Sequence, residues 1–232
     1  MSNSHPVHIQ NLLSNIKEIR RLLDIHSKVA GAGPGFKPNV EVLNKSAVVL
    51  LVACWEAFVE DLASAAFESL LSDATSAEPF PARVLALASE GLRADKDARA
   101  VWRLSGHGWK QVLKDHKAAI IAQLVGRLNT PRPKQVDEIF ERLIGLSSIS
   151  STWSWKGMAN DQAVARLDRL VTLRGQIAHR VATSRAVRKE YVIRHIWFVA
   201  RLSVISSNRT RDHVHSRIAK YPWEQYVSGK TK

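Results

Sequence analysis

The sequence predicts an all-α protein, and three observations carry that prediction. Apolar residues recur at intervals of three and four over long segments and nowhere alternate in the two-residue pattern of a half-buried strand. The 11 glycines and 8 prolines are modest in number and cluster between those segments, as short loops between helices require. With 45% hydrophobic residues over 232 positions, the chain can bury a proper core. No internal repeat or linker divides it. A single domain over residues 1–232 is therefore expected, with a core from 7 to 208 and a basic tail from 209 to 232.

Taken in order, Val7 to Ala30 reads as a helix, with Ile9, Leu12, Leu13, Ile16, Ile19, Leu22 and Leu23 inward and Lys17, Glu18, Arg20 and Arg21 wet. GAGPGFKPN, residues 31–39, ends it. Val40 to Ser72 reads as one long helix, apolar nearly all round in its middle, and so as the hub of the bundle. Residues 73–108 are less regular: a loop, a short helix from Pro81 to Glu90, and a helical stretch from Asp95 to Leu104 stopped by SGHG. Helices are expected from Trp109 to Leu128 and, after NTPRP, from Lys134 to Ile144. The Ser-rich loop Gly145 to Ala159 carries Trp153 and Trp155, which read better as a cover for the core than as a platform for bases. A helix over Asn160 to Ala182 follows, with Asn160 as N-cap. After a break, the last helix runs from Arg185 to about Asn208. Tyr221, Trp223 and Tyr226 are expected to order part of the tail.

The formal charge is +13, which makes a polyanion the first partner to consider. The charge is uneven. From Arg174 to the C-terminus the chain has thirteen Lys and Arg against three Asp and Glu, which is most of the excess. Cys54 is the lone cysteine and lies in an apolar run, so it has no internal disulfide partner and fits a reducing, cytoplasmic setting. The N-terminus is polar and reads as no signal peptide. The run Ala47 to Trp55 is far shorter than the ~20 residues a membrane span needs, so no membrane is expected among the partners.

The segment NDQAVARLDRLVTLRGQIAHRVA, residues 160–182, places Arg174 and His179 on one amphipathic helix. Arg suits a phosphate and keeps its charge; His exchanges a proton near neutral pH. Five positions turn a helix by about 500°, so the two side chains point about 140° apart and sit about 7.5 Å apart along the axis. One straight helix does not bring them to one small group. Either Gly175 distorts the helix, or a second copy supplies the missing half through a two-fold dimer. The plain alternative is an Arg salt-bridged to a neighbour such as Asp168 and a His capping the helix end.

The stretch LVTLRGQIAHR resembles the Arg-x-x-x-x-His motif of the HEPN superfamily, and AVVLLVACWEAFVEDLA and NTPRPKQVDEIFERLIGLSSISSTW resemble core segments of its RiboL-PSP and MAE-type subgroup. The resemblance covers roughly Val7 to Asn208. It implies a HEPN-like helical bundle with a long central core helix and a C-terminal helical extension. It also implies a homodimer joined through the motif helices and a metal-independent endoribonuclease of prokaryotic toxin–antitoxin or defence systems, with RNA as substrate and a cognate antitoxin or defence protein as partner. Arg174 would take the motif Arg role and hold the scissile phosphate; His179 would act as general acid/base during attack by the 2′-hydroxyl. Many relatives carry a polar residue after the motif Arg; Gly175 stands there in this chain. Glu56 and Glu60 match acidic positions on the subgroup's core helix and would support the site. Arg180, Arg185, Arg188 and Lys189 in the basic segment would bind RNA. The runner-up is a HEPN module that binds RNA or protein without cutting.

Other chemistry has little support. There is no glycine-rich phosphate loop, no Gly-x-Ser-x-Gly elbow and no zinc-finger spacing. The pairs His5/His8 and His213/His215 lack carboxylates or cysteines at ligand spacing, so neither metal nor cofactor is expected. A basic DNA-binding regulator lacks a helix-turn-helix signature.

Overall fold

The structure is a computed structural model, and it describes residues 5–30, 40–126, 128–180 and 186–226. Among these residues the chain forms seven α-helices and no strand: α1 (Val7–Ala30), α2 (Glu41–Asp73), α3 (Ala82–Ala94), α4 (Gly108–Leu124), α5 (Pro133–Ile144), α6 (Asn160–Arg180) and α7 (Lys189–Ile218). The all-α expectation therefore holds.

Helix α2 is the hub and touches α1, α4, α5, α6 and α7. Its apolar residues surround the whole axis, because neighbours cover most of its circumference; Leu51, Trp55, Phe58, Leu62, Phe67 and Leu70 are fully buried. By length and composition alone it is apolar enough to cross a membrane, a property the nine-residue run does not reveal, and half of its most apolar window is buried inside the bundle. A core helix of a globular bundle needs the same composition.

The elements that differ from the sequence expectation do so for local reasons. Helix α3 runs past Glu90 to Ala94. The side chains of Asp95 and Asp97 then accept the backbone N–H groups of Asp97 and Arg99, which favours turns over helix, so only a short 3-10 segment, Ala100–Leu104, follows. The expected start of the last helix, Arg185, lies outside the described residues. Residues 186–188 precede α7 in extended form, because Val187 is buried against the start of α2: its N–H donates to Glu41 and its carbonyl accepts from Asn44. At its other end α7 passes Asn208 by ten residues and reaches Ile218. Its inward face there is Ser203, Ser206, Ser207, Thr210 and Val214, all buried, and small hydroxyl residues leave a weak hydrophobic period. Residues 209–218 are thus helix rather than tail. Beyond it, Asn208 exchanges two hydrogen bonds with the backbone of Tyr226, and Trp223 meets His8 edge to face at 4.7 Å.

The Ser-rich loop covers the core. Trp153 is fully buried, donates from Nε1 to Ser206 at 2.9 Å and packs edge-on against Trp55. Asp137 of α5 accepts from both the backbone and the hydroxyl of Ser150. Asn160 does not cap α6 through its side chain: its Nδ2 donates to the carbonyls of Ser150 and Trp153, tying the loop to the helix it introduces.

Candidate functional site

Helix α6 is set against α2 and α5 by a short chain of contacts. Trp55 of α2 donates from Nε1 to the carbonyl of Pro131 at 3.0 Å and so fixes the turn that opens α5. The next residue, Arg132, forms an ion pair with Asp168 of α6. Asp168 is therefore already committed, and it is not the salt-bridge partner of Arg174.

Ala163, Leu167, Leu170 and Val171 of α6 are buried, while Arg169, Thr172, Gln176 and His179 are exposed. Arg174 lies between these sets, half-buried, and its Nε is buried with no hydrogen-bond partner among the described residues. Its guanidinium faces Glu56 of α2 closely enough to pull the Glu56 carboxyl down, against a larger upward push from burial. The two make no ion pair within 4.0 Å among the described residues. Glu60, one turn further along α2, is pushed up as well, first by burial and then by the charges of Glu56 and Asp61. Arg174, Glu56 and Glu60 thus form a half-buried polar corner between α2 and α6, with no ion pair to any of the three among the described residues.

His179 does not join that corner within the single chain. Helix α6 is continuous from Asn160 to Arg180, so Gly175 introduces no break and the divergence of about 140° stands. The absent side chain of Gly175 leaves open space: a Cβ there would meet nothing within 4 Å. Of the basic residues named from sequence, Arg188 is exposed just before α7, whereas the Lys189 ammonium is partly buried and donates to Ser27 of α1. Arg180 ends α6, and Arg185 lies outside the described residues.

The histidine pairs read as structural. His8 is buried and hydrogen-bonded to Ser207 at 2.8 Å, and burial pushes it down to about 4. His213 bonds the carbonyl of Ile144, and His215 stacks on Tyr221. Among the described residues no group of three or more His, Cys, Asp or Glu is placed to hold a metal ion.

Sequence reasoning passed over one feature. Arg166 and Arg169 of α6 and Arg194 of α7 lie together around Tyr191 and His195, and none of the three pairs with a carboxylate among the described residues. The signal was present as a run of arginines at helical spacing on both helices, but only packing shows that the two runs meet.

The fold and the site define a class: a helical bundle around an apolar hub, with an Arg/His helix laid against it. The chain matches the family model RiboL-PSP-HEPN over residues 10–204, and it belongs to that family of HEPN-type domains. No curated protein and no solved structure matches it.

Proposed function

We propose that the protein is a metal-independent endoribonuclease of the HEPN type, active as a homodimer in the cytoplasm, and that it serves as a toxin or defence effector under a cognate partner protein. The observation that carries this reading is Arg174, whose surrounding stretch resembles the HEPN motif and whose Nε is buried with no partner among the described residues. A half-buried guanidinium with an unsatisfied N–H is costly unless an anion takes it, and a scissile phosphate is such an anion. Glu56 makes no ion pair with Arg174 within 4.0 Å among the described residues, so the guanidinium is less neutralised than a tight pair would leave it.

In this reading His179 and Arg174 of two protomers line one cleft. The space beside Gly175 lets the second α6 approach closely. The RNA 2′-oxygen attacks phosphorus, the 5′-oxygen leaves, Arg174 offsets the charge gathering on the phosphate, and His179 handles the moving proton. The products are a 2′,3′-cyclic phosphate and a 5′-hydroxyl. The second reading, a module that binds RNA or protein without cutting, rests on Gly175 itself, which supplies no polar side chain beside Arg174.

The test is cleavage of mixed cellular RNA in EDTA by wild type, Arg174→Ala and His179→Ala, with dimerisation followed by light scattering. Cleavage by wild type alone, with cyclic phosphate ends, supports the enzyme. RNA retention without cleavage by any of the three supports the binding module.

A further inference from the structure

The arginine cluster beside Tyr191 extends across the molecule. The Arg166 guanidinium donates to the backbone carbonyl of Arg194 at 3.0 Å and lies 4.7 Å over the ring of Phe198. Those contacts hold it against α7 without neutralising it. Arg169 and Arg194 are close enough to depress its charged form further, after burial itself. One turn along α7, Trp197 is 53% exposed, an unusual placement for the largest apolar side chain. Arg20 of α1 sits over its indole at 5.7 Å. The acids nearest in sequence are engaged elsewhere, Asp168 with Arg132 and Glu18 with Arg21. Neither Glu190 with Arg194 nor Asp24 with Arg20 forms an ion pair among the described residues, and Glu190 acts on His26 instead.

We propose that Arg20, Trp197, Arg194, Arg166 and Arg169 form a track across α1, α7 and α6 that binds a single strand of RNA and leads it toward His179. The guanidiniums meet successive phosphates, and the exposed indole stacks on an unpaired base, the combination that single-strand binders use. A duplex hides its base faces and would leave Trp197 without a ligand. Like charges held this close are mutually repulsive until an anion joins them. Continuity with the candidate site is geometric. Arg169, Thr172, Gln176 and His179 are all exposed and recur at helical spacing, so one polar strip of α6 joins the track to His179 over about 15 Å.

The proposal rests on the ribonuclease reading for the identity of its ligand, and binding can be measured apart from cutting. The probe is a fluorescein-labelled 2′-O-methyl oligouridine of about 12 nucleotides, which lacks the attacking hydroxyl, with the corresponding duplex as control. Arg166→Ala/Arg169→Ala/Arg194→Ala should weaken binding at least about 30-fold and lower the slope of log K against log salt by about 2, at roughly 0.7 per lost phosphate contact. Trp197→Ala should cost about 10-fold, with Trp197→Phe retaining most of the affinity. The comparison variant, Arg83→Ala/Lys96→Ala/Lys114→Ala, removes three exposed bases from α3, α4 and the chain between them, helices that do not touch α6 or α7, and should change binding less than about 3-fold. Circular dichroism checks that each variant is folded. Equal losses in both triple variants, equal affinity for the duplex, or arginine-dependent binding to vesicles of anionic phospholipid with none to the oligouridine would each overturn the track. If His179→Ala leaves RNA cleavage unchanged while the track variants lose the oligonucleotide, the catalytic reading fails and the track stands. If His179→Ala abolishes cleavage while the track variants bind like wild type, the opposite holds.

Discussion

Two parts of this bundle differ in what they do with their buried rings and charges. Around the hub, the indoles of Trp55 and Trp153 and the imidazole of His8 each reach a partner, in Pro131, Ser206 and Ser207, at 2.8–3.0 Å. Those bonds lock α2, the Ser-rich loop and α7 into one arrangement. At the corner between α2 and α6, Arg174 keeps a buried Nε unpartnered and the neighbouring carboxyls of Glu56 and Glu60 are pushed up. Those three rings satisfy their nitrogens internally and serve stability, although the bundle also buries Asn44 Oδ1, Thr210 Oγ1 and Trp223 Nε1 with no partner among the described residues. At the corner the unpartnered group is a charged guanidinium, and under the proposed function it is held for an anion.

That contrast can be broken from either side. The largest effect is expected at the motif. His179→Ala should lower RNA cleavage by about 100-fold to 10,000-fold with the melting temperature unchanged, since the side chain is exposed. A matching loss of stability would show that His179 is a structural cap. In the hub the outcome reverses. Trp153→Ala should cost about 3–5 kcal/mol in denaturant unfolding, through the cavity and the orphaned Ser206 hydroxyl.

The pH dependence of stability comes next. His8 and His195 are both held down near 4 by burial, below the 6.5 of the free side chain. A depressed histidine contributes stability fully above its unfolded value and loses it as pH falls toward the folded one. The window is therefore about pH 6.5 down to 4, with each group worth on the order of 3 kcal/mol. Thermal melts should show the decline, and His8→Gln should flatten it by keeping a hydrogen-bond partner for Ser207 without the titration.

The smallest effect separates helix stability from assembly. Gly175→Ala should stabilise the fold by about 0.5–1 kcal/mol, because the position is helical and a Cβ there meets nothing. Gly175→Trp should leave the fold intact and weaken dimerisation, read by light scattering. A dimer that ignores this substitution pairs through another face.

Much of this molecule was legible because helical spacing is a local property. The apolar stripes placed α1, α5 and α6 within a few residues, and the all-round apolar middle of α2 marked it as the hub before any contact was known. The end of α7 was missed because its inward face is written in Ser and Thr, which a hydrophobic pattern does not count. The 3-10 turn after α3 was read as helix because aspartates that bond their own backbone resemble ordinary polar helix residues. Asn160 was placed at the right boundary with the wrong bond, since the carbonyls that claim its amide belong to a loop seven to ten residues back.

By itself the sequence determined the fold class, the hub, the strongly basic C-terminal quarter and the Arg174/His179 helix with its divergence of about 140°, because each follows from composition or from the 3.6-residue turn. Only the tertiary structure decided which charges are spent and which are left over. Asp168 goes to Arg132 and Lys189 to Ser27, while Arg174 meets a half-buried Glu56 and the arginines of α6 meet that of α7 beside an exposed Trp197. Charge pairing acts over a few ångströms between residues far apart in the chain, and packing alone brings them within that range.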